Sequence, residues 1–301
     1  MRNTKRFTPK VLSRFHREGR GTGAYGDYTG WHRVTRGDPS SRGFSSVVAW
    51  RGLHLDFLSN GEHTAFLFAT MLPELEDVRE QFPLADSFVL DQRQFLLGLD
   101  TEAPLEPGTL SIAESLGYKH PVLKEHGQLE PWIMTTDLLL FLKGAQGEPS
   151  ALAVAVKDGS TAWRESRRTH ELLAIEHEYW RRRGIPWILL TPSQWDARVF
   201  RTLQRIACWG LGAPVSAESR RVACEIARTN PNANVTDLVR LIRSHIAEGD
   251  AGERALWQAV WFGDLPVDLR RSWRPHLPLI HLSQQAFLDQ NPLAMRRSAW
   301  T

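Results

Sequence analysis

Ile133-Met134-Thr135-Thr136-Asp137-Leu138-Leu139-Leu140-Phe141-Leu142 is the stretch on which the fold turns. It reads as an apolar strand interrupted by two threonines and one aspartate. A carboxylate inside such a run is costly to bury unless it is paired or holds a cation. Ala151 to Val156 is a second apolar strand, and it ends on Lys157. If the two strands run antiparallel through a turn at Gly144–Ser150, Asp137 and Lys157 come side by side. Upstream, Asp77 to Leu84 reads as a short strand with polar groups. Ser59-Asn60-Gly61-Glu62 reads as a helix start, and Ala65 to Leu72 continues the helix until Pro73. Downstream, residues 161–183 form a long charged helix, and Pro186-Trp187-Ile188-Leu189-Leu190 is a buried strand. The order helix, three strands, helix, strand predicts a mixed α/β core around one sheet.

The flanks have a different character. Residues 1–45 carry many glycines and little apolar periodicity, which predicts a loop or arm, with Phe15, Tyr25, Tyr28 and Trp31 as docking points. Residues 46–192 hold the α/β core. From Pro192-Ser193 onward the pattern turns helical, with segments at 194–208, 216–228, 235–247 and 252–262 and a cap at Asn234. Several helices followed by the proline-interrupted stretch Leu265 to Leu282 suit a helix-turn-helix or winged-helix module over 193–301.

The 301-residue chain has 37 Lys and Arg against 34 Asp and Glu, a net charge of +3. Residues 1–42 alone hold ten basic and three acidic side chains, which leaves the remainder slightly acidic. A basic arm on an acidic body favours an anionic partner such as nucleic acid. Two cysteines, Cys208 and Cys224, make neither a zinc knuckle nor a disulfide framework, which points to a reducing cytosol. No apolar run reaches the length of a membrane span, and no secretory signal opens the chain.

Asp137, Lys157 and Glu62, the last in the first turn of its helix, form a toolkit for phosphodiester hydrolysis. Carboxylates hold Mg²⁺ through oxygen. The ion polarises the phosphate and lowers the pKa of a bound water, while a lysine orients that water and offsets developing charge. The two residues Asp137 and Lys157 alone also suit a simple cross-strand ion pair, and Glu62 alone suits the helix dipole. Gly19-Arg20-Gly21-Thr22-Gly23 lacks both the preceding strand and the following Lys-Ser/Thr of a phosphate loop.

A series of matches in chain order adds to these residues. They are Gly19-Arg20-Gly21-x-Gly23 with Tyr28 and Trp31, then Ser59-Asn60-Gly61-Glu62, then Val78-Arg79-Glu80-Gln81-Phe82-Pro83-Leu84. Ile112-Ala113 with Gly117 and His120-Pro121 follow, then Thr135-Thr136-Asp137 and Val156-Lys157. Glu171, Glu176, Tyr179-Trp180 and Gly184-Ile185-Pro186-Trp187 close the series. Over about residues 17–195 the sequence resembles the TnsA family, the transposon-end endonucleases of heteromeric cut-and-paste transposons. The resemblance implies a restriction-endonuclease-like αβββαβ core with Glu62, Asp137 and Lys157 as its catalytic residues. It implies cleavage of the 5′, non-transferred strand of double-stranded transposon ends, leaving a 3′ hydroxyl and a 5′ phosphate. It also implies work with the transposase TnsB and the AAA+ ATPase TnsC through a C-terminal winged-helix-like domain.

One departure stands out. The family usually carries Gln, and the wider superfamily Asp or Glu, two residues before the lysine; this chain has Ala155. Metal binding then rests on Glu62, Asp137, waters and the Val156 carbonyl, with one Mg²⁺ ion or two. Asp158 is expected on the opposite sheet face, away from the site. Arg20 and Arg33 on the arm, with Arg79 and Gln81 on the first core strand, are the expected DNA-contacting or site-steadying side chains. The rival readings are a stand-alone restriction-like nuclease, and a non-catalytic adaptor between transposase and regulator.

Overall fold

The computed structural model describes residues 7–35, 38, 45–87, 89–90, 105–125, 127–144, 146–157, 159, 162–246, 251–271 and 273–300. Helix α1 (Pro9–Arg17) opens the chain, followed by the hairpin β1 (Ser46–Trp50) and β2 (Leu53–Phe57), helix α2 (Asn60–Ala69) and strand β3 (Leu75–Pro83). Short strands β4 (Val89–Leu90) and β5 (Leu105–Glu106), helix α3 (Thr109–Ser115) and the hairpin β6 (Val122–Glu125) and β7 (Gln128–Pro131) come next. Strands β8 (Thr135–Lys143) and β9 (Pro149–Val156), helices α4 (Ala162–Glu165) and α5 (Arg167–Arg182) and strand β10 (Trp187–Leu190) follow. The chain then turns helical, with α6 (Ala197–Gly210), α7 (Ala217–Thr229), α8 (Val235–His245), α9 (Ala251–Trp261) and α10 (Gln284–Leu288).

The central sheet has the order β10-β9-β8-β3. β3 and β9 both run antiparallel to β8 between them, and β10 joins β9 in parallel. A parallel neighbour needs a crossover, which α5 supplies. The sequence α2-β3-β8-β9-α5-β10 is compatible with a restriction-endonuclease-like core. Leu139 and Phe141 of β8, Ala151, Ala153 and Ala155 of β9 and Leu189 of β10 meet Leu173, Ile175, Tyr179 and Trp180 of α5 in one buried cluster. Three alanines at alternate positions of β9 leave room for the large rings that α5 presents. The long helix expected over 161–183 starts later, at Arg167, because Ser166 caps it by accepting from Thr169 N.

The expected N-terminal arm is, in its described part, folded structure. Thr8 caps α1 and Pro9 sits in its first turn. Leu12 and Phe15 lie three residues apart on the helix and are buried with Trp31, while Phe7, Val11, Leu123 and Ile133 flank them. Arg14 and Arg20 both pair with the buried carboxylate of Asp38. Arg2, Lys5, Arg6, Arg36 and Arg42, which contribute to the basic excess, lie outside the described residues.

The chain divides into two compact units. The first comprises Met1–His63, Glu74–Thr191 and Ala299–Thr301, and the second Thr64–Pro73 and Pro192–Ser298. The second unit takes the C-terminal part of α2, a segment that chain order alone assigns to the α/β core. Its helices carry strong caps: Asp196, Ser216 and Asn234 each accept from a backbone N–H of the first turn. Val199, Leu203, Ile206, Ala227, Leu238, Ile242, Leu256 and Val260 are buried. A Cβ at Gly210 would stand 2.4 Å from the Trp261 ring, so close packing requires glycine there. The proline-interrupted stretch Leu265 to Leu282 takes part in the isolated bridges Asn234↔Pro278 and Val267↔His281 among the described residues. No helix among the described residues is long and apolar enough to cross a membrane.

Candidate active site

Registered pairs between β8 and β9 run from Lys143↔Pro149 to Leu138↔Val154 and stop there. Beyond that point Asp137 replaces the missing backbone acceptor: its Oδ2 accepts from Val156 N at 2.7 Å. The aspartate is thus held at the point where two core strands part. Lys157, the residue just after β9, places Nζ 4.0 Å from Asp137 Oδ2 and donates to the Val156 carbonyl at 3.0 Å. Its side chain is about one-third exposed, so the ammonium reaches solvent from the end of the strand.

Glu62 arrives from the first turn of α2. Ser59 Oγ accepts from Glu62 N at 3.2 Å, and Glu62 Oε2 accepts from Leu58 N at 2.8 Å. These bonds fold the carboxylate back over its own helix start. Gln81 joins it to the aspartate: Nε2 donates to Glu62 Oε2 at 3.2 Å and to Asp137 Oδ1 at 3.3 Å. Thr135 Oγ1 fixes the amide orientation by donating to Gln81 Oε1 at 3.2 Å. Gln81 has φ +48°, a left-handed conformation rare for a residue with a Cβ. Such strain, of order 1–2 kcal/mol, persists only where surrounding contacts enforce it. Here Trp31 N donates to the Gln81 carbonyl at 3.2 Å.

Electrostatics follow from burial. Desolvation, then repulsion from Asp137, pushes Glu62 up to about 8, with the Leu58 N–H and Ser59 opposing. Glu176 of α5 is fully buried, and burial, then Asp137, raises it to about 7. Glu176 Oε1 accepts from Thr136 Oγ1 at 2.9 Å and from Trp187 Nε1 at 3.1 Å, while Trp180 Nε1 donates to Thr136 Oγ1 at 2.6 Å. The Asp137 charge thus raises two buried carboxylates, Glu62 and Glu176, and a hard cation would offset that crowding of negative charge among oxygen donors. Among the described residues no three His, Cys, Asp or Glu side chains gather as a metal cluster. Ala155, two residues before Lys157, is fully buried in the same core cluster as Tyr179 and Trp180.

The structure therefore brings Glu62, Asp137, Lys157 and the Val156 carbonyl together. Of the four residues expected to contact DNA or steady the site, Arg20, Arg79 and Gln81 are buried. Arg20 is buried, bonded to Glu18 and Asp38, with its guanidinium 3.9 Å from the Phe15 ring centroid. Arg79 is buried against Asp77 and lies over the Phe141 ring. Gln81 is buried between the two carboxylates. Each has a protein partner that compensates its desolvation, which a DNA contact would have to break. Arg33 keeps a partly exposed side chain, with Nε 3.3 Å from Asp56 Oδ2. Asp158 lies outside the described residues. Thr136 and Glu176 form a support that the motif series touches without assigning a role. Their signal is Thr135-Thr136 interrupting an apolar strand, since a hydroxyl buried there needs a partner.

The chain is similar to known proteins. Residues 73–192 match the family described as TnsA-like endonuclease N terminal. The Escherichia coli transposon Tn7 transposition protein TnsA is 28% identical over 230 residues, covering 76% of this chain and 71% of that protein. With the αβββαβ order and the parted strands holding Asp137 beside Lys157, these matches support a DNA endonuclease similar to the TnsA proteins.

Proposed function

We propose that this endonuclease hydrolyses the phosphodiester at the 5′, non-transferred strand of transposon ends, leaving a 3′ hydroxyl and a 5′ phosphate. The observation that carries the reading is the convergence of Glu62, Asp137 and Lys157 from three separate elements, with both carboxylates tied to one glutamine. Glu62, Asp137 and the Val156 carbonyl would hold Mg²⁺. A bound divalent ion supplies charge stabilisation on the phosphate and a more acidic water. Lys157 orients the attacking water and offsets negative charge as it develops on phosphorus. Gln81 holds both carboxylates at fixed positions before the substrate arrives. With Ala155 two residues before Lys157, one ion is the simpler arrangement and a second has fewer protein ligands.

The partners in this reading are a TnsB-type transposase, which cuts the other strand, and a TnsC-type ATPase. The capped helices over 193–298, with the bridge Val267↔His281 as a minimal wing, supply a winged-helix-like docking module for them. The test is strand-resolved cleavage of end DNA with both partner proteins and Mg²⁺. Asp137→Ala and Lys157→Ala should each lower 5′-strand cutting by about 100-fold or more. Normal rates in both variants would show that the chemistry lies elsewhere.

A further inference from the structure

A cleft of about 440 Å³ opens directly beside the catalytic pair, with Asp137 and Lys157 in its wall. That volume lies in the range of about 300–1,000 Å³ typical of small-molecule sites. The rest of the lining is unlike a phosphate-binding surface. It is built from Phe7, Val122, Trp132 and Met134 together with residues of α5. Phosphates are held by cations and backbone N–H groups, whereas aromatic walls hold nucleobases by stacking.

Trp132 is braced for such a role. His32 stacks on it with ring centroids 5.5 Å apart and planes 18° apart, and Phe7 meets it edge-on at 4.6 Å. Burial lowers His32 to about 4, so the bracing ring is neutral at ordinary pH. The β6–β7 hairpin beside the cleft presents Val122 and Leu129 to solvent, 53% and 66% exposed. Exposed apolar side chains on a hairpin beside a DNA site act as a wedge between base pairs. A paired base cannot reach a cleft beside its own backbone, because it is stacked within the duplex.

We propose that this cleft receives the base of one unpaired nucleotide next to the scissile phosphate, stacked on Trp132, while the β6–β7 hairpin separates the strands. The inference rests on the nuclease reading, since Asp137 and Lys157 place the phosphate at the mouth of the cleft. It makes the enzyme a reader of a locally opened duplex rather than of an intact one.

The test uses the full chain and a synthetic duplex carrying one 5-iododeoxyuridine, either paired with adenine or left unpaired opposite a thymine. Ultraviolet cross-linking in Ca²⁺ is followed by peptide mapping. The unpaired base should cross-link at Trp132 or Phe7 at least about fivefold more than the paired one. Trp132→Ala should reduce that yield about fivefold, and Trp132→Phe should restore most of it. The mapping on the unaltered chain stands even where Trp132→Ala fails to fold. Equal yields from paired and unpaired bases, or cross-links mapping outside the cleft, would overturn the proposal. Strand cleavage of transposon-end DNA is measured in parallel, in Mg²⁺ with both partner proteins present. Cutting without a cross-link in the cleft refutes the base site alone, and a cross-link in the cleft without any cutting refutes the nuclease reading alone.

Discussion

Nε2 of Gln81 stands 3.3 Å from Oδ1 of Asp137 at the position where the β3–β8 register passes from Glu80↔Leu138 to Phe82↔Thr136. The same amide nitrogen reaches Glu62 Oε2. One neutral donor therefore stands between two carboxylates that repel each other. It keeps them together before any cation is bound, and the left-handed backbone of Gln81 is what turns its side chain to that spot.

Replacing this glutamine separates its chemistry from its strain. Gln81→Gly removes the amide and also relieves the left-handed conformation. The variant should keep its thermal midpoint within a few degrees, while cleavage falls about 10-fold or more and half-saturation shifts to higher Mg²⁺. Gln81→Ala should lose the same activity and be less stable than Gln81→Gly, because alanine retains the strain. Cleavage at several Mg²⁺ concentrations, together with thermal denaturation, checks both. Full activity in Gln81→Gly would remove Gln81 from the positioning role.

Thr136 is the hinge of the buried chain Trp180–Thr136–Glu176–Trp187. Thr136→Val keeps the shape of the side chain but strips Trp180 Nε1 of its acceptor and Glu176 of a donor. An unsatisfied buried group costs about 1–3 kcal/mol, so the variant should lose about 2–4 kcal/mol of stability in urea denaturation. A loss under about 0.5 kcal/mol would mean that the network relaxes around the change.

The α/β core was legible because its evidence is local. Leu138 to Leu142 form an unbroken apolar run, and Asp137 stands out as a charge that such a run does not tolerate without a reason. The N-terminal segment was not legible in that way. Its apolar residues are sparse, and Leu12 and Phe15 become a core only when Trp31 folds back onto them. Composition counted Arg14 and Arg20 as free positive charge, yet both are consumed by Asp38, a partner that no local pattern announces. The role of Gln81 was half legible. Its place on the strand between Glu62 and Asp137 could be read, but nothing in the sequence marks a glutamine that must adopt positive φ. The assignment of Thr64–Pro73 to the second unit depends on bonds such as Asn291 Nδ2 to the Phe68 carbonyl, 223 residues apart in the chain.

Glu80 gives a pH dependence with a definite sign. Its side chain is buried, and desolvation raises it from 4.5 to about 8. Between those values the folded state binds this proton more tightly than the unfolded chain does. Stability from Glu80 is therefore fully present below about 4.5 and is lost as pH rises through about 8. Glu80→Gln cannot ionise. Its stability relative to the parent should rise across that window by up to about 5 kcal/mol, with no further change above it. Urea denaturation at pH 5, about 7 and about 9 measures the difference. A difference that stays constant with pH would mean that Glu80 titrates normally.

One short path from the N-terminal segment to the active site runs through Phe15 and Trp31. Phe15 is fully buried, with its ring 5.5 Å from Trp31, and Trp31 N donates to the carbonyl of Gln81. Deleting residues 1–16 removes both Leu12 and Phe15, so Trp31 loses its cover and the strained backbone at Gln81 loses a fixed donor. Such a deletion should do more than reduce DNA affinity. Thermal stability should fall, as it should in Phe15→Ala, where truncating a buried phenylalanine costs about 3–5 kcal/mol. Hydrogen exchange should speed up at Gln81 and its strand neighbours before it does in the helices of 193–298. If the deletion weakens DNA binding but leaves both the thermal midpoint and exchange at Gln81 unchanged, the segment acts as a basic arm after all and its packing on Trp31 does not hold the site.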